Sequence, residues 1–594
     1  MRHFLSNIAY LTRYILRYAP SAIILIILNA VFHTISIISN VLGIKFIIDE
    51  FERGTDVYRI VFIALIYAIV RLSISIYFNI SGYYTSKIYA TICHRVDIDL
   101  MKKSNITDYS CFDDPTFYDK HTRAMKTASS SVNNLIGTYT AVLSNLVAVF
   151  AVTTLLSTIG IEYIIISLVS VLISTTVLIY KNKKQYEYGV ESTRNNRQVA
   201  YFKTMVFNPE NVADIRVNGT IGFFVEKYKR HYQNWFSQYL KHLKKMSLAD
   251  LPENIASSVA FFLTMFFAIR DVVMNIITLG TYVSTINAVQ SLSQQIFSLV
   301  FQFPNLIQQV RYIDDLKKIL ELPSTIEEGK ANGVELKMKN AYKIEFKHVT
   351  FSYPNTDVKV LDNISFSIKT GEKVAIVGEN GAGKTTLIKL LLRLYDPQDG
   401  EICIDNINIK DIDINSLRRT ISMVFQKVNI YPLTVRENIA FNNEVDDDII
   451  MKYLKSANIY DKIVVNSLIG LDSQVTRSFY EDGIVLSGGE NQKLAIARAL
   501  YKRAGIIVMD EPSSSLDPNS EYELFKTFRF NTHNQTALII SHRLAICTSV
   551  DKIVFIHNGT VVEQGSHDEL MQMENGRYRN LFTKQLSSYM GEGG

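Results

Sequence analysis

Apolar runs of about 20 residues or more recur through the first 305 residues of the chain and leave it one architecture there. About 20 such residues, wound as a helix, cross roughly 30 Å of hydrocarbon. Inside hydrocarbon each backbone polar group must be satisfied by the protein itself, and runs this long do so as helices. Six segments qualify: Ala22–Ile48, Val61–Ile80, Leu135–Ile159, Ile161–Tyr180, Ile255–Ile277 and Tyr282–Phe303. The third and fourth meet at Gly160 and predict a tight hairpin. Polar stretches of roughly 50 and 70 residues separate the second span from the third and the fourth from the fifth.

Lysine and arginine orient these spans. Arg13 and Arg17 precede the first, Lys87 to Lys126 populate the first long stretch, and Lys181 to Arg230 the second. The short connection at Asp49–Asp56 is mostly acidic. Both termini and both long stretches are therefore expected in the cytoplasm. The stretches are periodic and predict continuations of the membrane helices, with tips that meet a cytosolic domain. Phe112–Asp119 and Asn208–Pro209–Glu210 carry helix-start chemistry suited to such tips. At the N-terminus, Phe4, Ile8, Leu11 and Ile15 repeat at helical spacing, which predicts an interfacial amphipathic helix rather than a cleaved signal.

Two polar features inside the spans carry alternative readings. Arg71, in the second span, predicts either a contact to an anionic substrate group or an ion pair with Glu253 or Glu50. Asn29, His33, Asn40 and Lys45 in the first span suit either a transport pathway or helix packing. The net charge of +5 is too slight for a chain of 594 residues to indicate nucleic acid, and no basic cluster is interleaved with aromatics. Cys93, Cys111, Cys403 and Cys547 are widely spaced, as expected of free thiols in a reducing compartment.

Beyond about residue 340 the pattern changes to short β-rich runs alternating with helices. Lys373–Val377 reads as a buried strand leading into Gly378-Glu379-Asn380-Gly381-Ala382-Gly383-Lys384-Thr385, then Thr386 and an apolar helix. This strand, glycine-rich loop and helix form a phosphate site. The glycines let backbone amides wrap the phosphates, and the helix N-terminus favours negative charge. Lys384 is expected to pair with the β- and γ-phosphates of ATP and Thr385 to help hold Mg²⁺. Downstream, Ile506–Asp510 is an apolar strand ending in an acid, with Glu511 next. Asp510 suits the metal and Glu511 the polarisation of an attacking water.

With these motifs the chain resembles the ATP-binding cassette (ABC) transporters over essentially its whole length. Leu486-Ser487-Gly488-Gly489-Glu490 is similar to the family signature, with Glu where Gln is usual. The resemblance implies that Ser487, Gly488 and Gly489 cap the γ-phosphate of ATP held by an opposite subunit. It also implies an adenine platform at Tyr353 and a Mg²⁺- and water-sensing glutamine at Gln426. Asp517 would couple the two sites, His542 would contact the γ-phosphate, and Glu481-Asp482-Gly483 would meet the cytosolic tips. One chain would then be half of a dimer.

Spans fused ahead of the ATPase resemble the exporter subtype. The expected fold is an all-α membrane domain of six helices with long cytosolic extensions, then an α/β P-loop ATPase domain. The expected boundaries are 1–320, a linker over 321–341, and 342–594. Glu511, His542 and Gln426 as an intact set favour a homodimer, while Glu490 keeps a heterodimer with a related subunit in view. The expected setting is a bacterial plasma membrane and the expected activity ATP-driven export by alternating access. The layout resembles exporters of lantibiotic-type peptides, and with the amphipathic helix opening the sequence no leader peptidase is expected. A lipid flippase, a multidrug exporter and an ATP-gated channel share the layout as alternatives.

Overall fold

The computed structural model describes residues 2–326, 333–354, 356–442, 445–465, 467, 469–477, 479–512, 532, 534–541 and 544–590. Two compact units result, one from Met1–Lys103 with Asp119–Glu321 and the other from Ser104–Tyr118 with Leu322–Gly594.

The first unit is helical. An N-terminal helix α1 (Arg2–Tyr18) precedes α2 (Ser21–Glu52) and α3 (Val57–Asn105). A short turn α4 (Tyr109–Phe112), assigned to the second unit, leads to α5 (Pro115–Ser157), α6 (Ile161–Met205) and α7 (Pro209–Val217). Then come α8 (Ile221–Ala249), α9 (Leu251–Val273) and α10 (Leu279–Leu320). Pro115 and Pro209 stand at first helical positions, where the absent N–H costs nothing. The 49 residues of α3 would extend about 74 Å, far beyond one bilayer. The polar stretches are thus continuous with the spans, as their periodicity predicted.

Five stretches among the described residues are long and apolar enough to cross a membrane, in α2, α3, α5, α6 and the α8–α9 pair. The sixth expected span, in α10, is long enough but carries Asn287, Gln290, Gln294 and Gln295, which dilute its hydropathy. Ile37, Val41, Val152, Tyr163, Ala268 and Leu292 form a buried core from five of these helices. Asn29 accepts hydrogen bonds from Tyr77 (2.9 Å) and Ser81 (2.6 Å), and Asn40 accepts one from Tyr67 (3.5 Å). Both asparagines thereby join α2 to α3, the packing role. Arg71 donates to Ser36 at 3.3 Å, and Glu50 pairs with Arg53 and Arg59 instead of with it.

The second unit holds two sheets. An antiparallel sheet runs in the order β2 (Lys359–Ile368), β1 (Ile344–Ser352), β4 (Asp399–Ile404), β5 (Ile407–Asn408). The other sheet orders β10 (Thr560–Gly565), β9 (Lys552–His557), β3 (Lys373–Gly378), β8 (Thr536–Ile540), β7 (Ile506–Asp510) and β6 (Ile421–Val424). Its strands are parallel except for β10. β3, β7 and β8 are buried at every position, which is why they read as unbroken apolar runs. Parallel pairing brings the carboxyl ends of β3, β7 and β6 to one edge, where α/β sheets bind ligands.

Candidate nucleotide site

At that edge β3 passes into α11 (Lys384–Leu391) through the glycine-rich loop. Gly383 caps the helix at φ 97°, and a Cβ there would lie 2.9 Å from the Val360 carbonyl. Glycine is required on both counts. Gly378, at the end of β3, would bring a Cβ to 2.1 Å from the Ile556 carbonyl. The Lys384 side chain is buried and donates to the carbonyls of Gly378 (2.9 Å) and Glu379 (2.8 Å). Burial lowers its pKa, against the pull of Glu511 and Asp510. A cation so desolvated is a strong partner for phosphate oxygens.

A cavity of about 680 Å³ opens here. The loop and helix contribute Asn380, Gly381, Gly383, Lys384, Thr385 and Thr386, while Tyr353, Gln426 and Glu511 come from elsewhere in the chain. Nine expected site residues therefore line one space, together with Val360, which the sequence reading missed. The Tyr353 hydroxyl lies 3.0 Å from Thr386 Oγ1. Gln426, just past β6, donates its amide to Glu511 Oε2 at 2.7 Å. Glu511 sits at φ 50°, with its N–H bonded to the Ile540 carbonyl at 2.9 Å. Gln492 donates to the Glu511 carbonyl at 3.1 Å. A left-handed glutamate held by its neighbours is strain of the kind found at working sites. Gln492 was also missed, although it lies only two residues past the signature.

Asp510, at the end of β7, is buried; burial raises its pKa to about 6, offset in part by a hydrogen bond from Thr385. Its Oδ1 is buried with no hydrogen-bond partner among the described residues. An unsatisfied carboxylate oxygen beside a threonine hydroxyl is a donor set suited to Mg²⁺. Ser487 caps α12 (Gly488–Tyr501), and none of Ser487, Gly488 and Gly489 lines the cavity. Glu490 accepts the Ser487 N–H at 2.7 Å while Ser487 Oγ accepts the Glu490 N–H at 3.3 Å, a reciprocal capping box. The spacing Ser-x-x-Glu was the signal for it. Asp517 and His542 lie outside the described residues.

The short segment preceding α5 packs within this same unit. Asp108 accepts from Ser324 Oγ (2.5 Å), the Thr325 N–H (2.9 Å) and hydroxyl (2.9 Å), and the Ile326 N–H (3.0 Å). Asp113 accepts from the Tyr395 hydroxyl. Lys389 Nζ stands over the rings of Tyr353 (5.2 Å), Tyr109 (5.7 Å) and Tyr395 (5.9 Å). Lys389 falls one turn after Thr385, so helical spacing could have pointed to it.

Residues 361–514 match the ABC transporter family. The chain is 29% identical to the subtilin transport ATP-binding protein SpaT of Bacillus subtilis, over 83% of this chain and 80% of that one. It is 25% identical to the nisin transport ATP-binding protein NisT of Lactococcus lactis subsp. lactis, over 93% and 91% respectively. Its fold is similar to the structure of a bacterial Atm1-family ABC exporter with ATP bound, at a TM-score of 0.76 and 21% identity, covering 96% of this chain and 98% of that one.

Fold and site thus define an ABC exporter half-transporter, an integral membrane protein whose helical domain is followed by an ABC ATPase coupled to transport. Within that class it is distantly similar to lantibiotic exporters and to Atm1-family exporters. A half-transporter fold implies a dimer.

Proposed function

We propose that two copies of this chain export an amphipathic peptide across a bacterial plasma membrane by alternating access, with both termini in the cytoplasm. Each copy is divided into a membrane domain over 1–320, a connector over 321–341 and an ATPase domain over 342–594. In the ATPase, Lys384 and the loop amides hold the phosphates, and Tyr353 stacks on adenine. Thr385, Asp510 and Gln426 surround Mg²⁺. Glu511, steadied by Gln426, polarises the attacking water, and His542 contacts the γ-phosphate. A positioned base of this kind contributes about 10²–10⁴-fold in rate. Ser487, Gly488 and Gly489 complete the site of the opposite copy.

The observation that carries the reading is the 2.7 Å Gln426–Glu511 contact facing the same cavity as Lys384 and Thr385, while the signature stands apart from it. The peptide cargo is supported by likeness to SpaT and NisT along most of the chain. ATPase stimulation in lipid nanodiscs tests it. Stimulation by an amphipathic peptide and not by lipids or multidrug substrates is expected; the reverse order would favour a flippase or drug exporter.

A further inference from the structure

In the membrane unit a cavity of about 380 Å³ lies between α6, α9 and α10, within the size range of small-ligand sites. Its polar lining is uneven in one respect. Thr264 satisfies its hydroxyl on the Ala260 carbonyl at 2.8 Å, as hydroxyls in apolar helices usually do. Ser174, Ser257, Gln290 and Gln294 make no side-chain hydrogen bond among the described residues, yet all four face the cavity. Helix packing would use such groups between helices. Here they are left over around a space.

The same cavity holds a single ionisable side chain, Glu253, in the first turn of α9. Its neighbour Lys181 pairs with Asp250 instead, and no ion pair reaches Glu253 among the described residues. Lys181 lies close enough to attract Glu253 but gives its salt bridge to Asp250, so the acid at this end of the membrane helix faces the cavity without a bonded partner among the described residues, as acids on ligand or ion pathways do. Phe261 and Phe297 add apolar surface to the lining. The lysine bias assigns this end of α9 to the cytoplasmic leaflet, where cargo enters an exporter.

We infer that this cavity receives one ammonium-bearing segment of an amphipathic peptide cargo. Glu253 pairs with a cationic side chain of the cargo, and the serine and glutamine groups take its amides. The inference rests on the proposed export of peptides and narrows it to cationic ones. A negative charge here selects against anionic cargo as well as for cations.

The test uses the full-length chain in lipid nanodiscs without ATP. Binding is measured for a fluorescent amphipathic peptide containing several lysines and for the same peptide with every lysine acetylated. The wild type is expected to favour the cationic form by about tenfold, the effect of one retained charge pair. Glu253→Gln should erase that preference and Glu253→Asp should keep it, with both variants unfolding thermally as the wild type does. Gln290→Ala should weaken both peptides alike. Equal binding of the two peptides to the wild type, or an unchanged preference in a folded Glu253→Gln, overturns the assignment. Failure of the export reading shows elsewhere, as absent ATP-dependent peptide uptake in vesicles while this binding preference persists.

Discussion

The Gln426 side-chain amide donates to Glu511 Oε2 at 2.7 Å, joining the ends of two parallel strands across the phosphate cavity. The amide removes one degree of freedom from a carboxylate that lines the cavity beside Lys384 and Thr385. Gln426→Ala is expected to lower ATPase turnover by about tenfold to a hundredfold with nucleotide affinity little changed. Combining it with Glu511→Gln should add almost nothing, because the two side chains act as one unit. Single-turnover hydrolysis on the three variants measures this.

Lys384 is buried with its ammonium on two loop carbonyls, so the loop is already shaped around a cation. Lys384→Ala removes the charge and leaves those carbonyls without their partner. Nucleotide affinity should fall by at least about tenfold, and Lys384→Arg should not restore it, since the guanidinium does not fit a point-charge site. Fluorescent-nucleotide titration reads the loss directly.

Glu490 does in this signature what a neutral acceptor does equally well, which is to hold the Ser487 N–H. That bond holds its carboxyl below the usual range, and Lys462 lies 3.7 Å away. Glu490→Gln should leave ATPase activity within about threefold of wild type, while Glu490→Ala should cost about 1 kcal/mol at the helix start. ATPase assays and thermal unfolding of both variants separate charge from capping. A large loss in Glu490→Gln alone would mean that the charge itself serves the site.

Asp108 anchors Ser324, Thr325 and Ile326 with four hydrogen bonds. Burial pulls its pKa up, but the bonds from Ser324, Thr325 and Ile326 outweigh it and hold the carboxyl below its ordinary value. A depressed folded-state pKa stabilises above the unfolded value and is lost as pH falls through the folded one. The contribution should therefore be constant near neutrality and fade only below about pH 4. Asp108→Asn is expected to destabilise the ATPase unit by about 1.5–3 kcal/mol at pH 7. In thermal unfolding against pH, its deficit relative to wild type should shrink in acid.

Much of this was legible in the sequence because the chemistry is local. Gly378–Thr385 and Ile506–Glu511 each write their strand, turn and charge in consecutive letters. Burial on both sheet faces made β3, β7 and β8 unbroken apolar runs. The spans were legible for the same reason, most faintly in α10. There Gln290 and Gln294 dilute the hydropathy signal because they face a cavity instead of lipid. Contacts across many residues left no trace. Asp108 meets Thr325 at a separation of 217 residues, and Gln492 reaches Glu511 through the helix that follows the signature. The left-handed backbone of Glu511 was equally hidden, because glutamate gives no hint of positive φ.

In the proposed transport cycle, ATP hydrolysis at Glu511 drives cargo outward. Inside-out vesicles carrying wild type or Glu511→Gln, supplied with ATP and a fluorescent amphipathic peptide, read this in one assay. Wild type should accumulate the peptide only when ATP is present, and Glu511→Gln should accumulate none even though that variant still binds ATP. Accumulation at an unchanged rate in Glu511→Gln would overturn the proposed cycle.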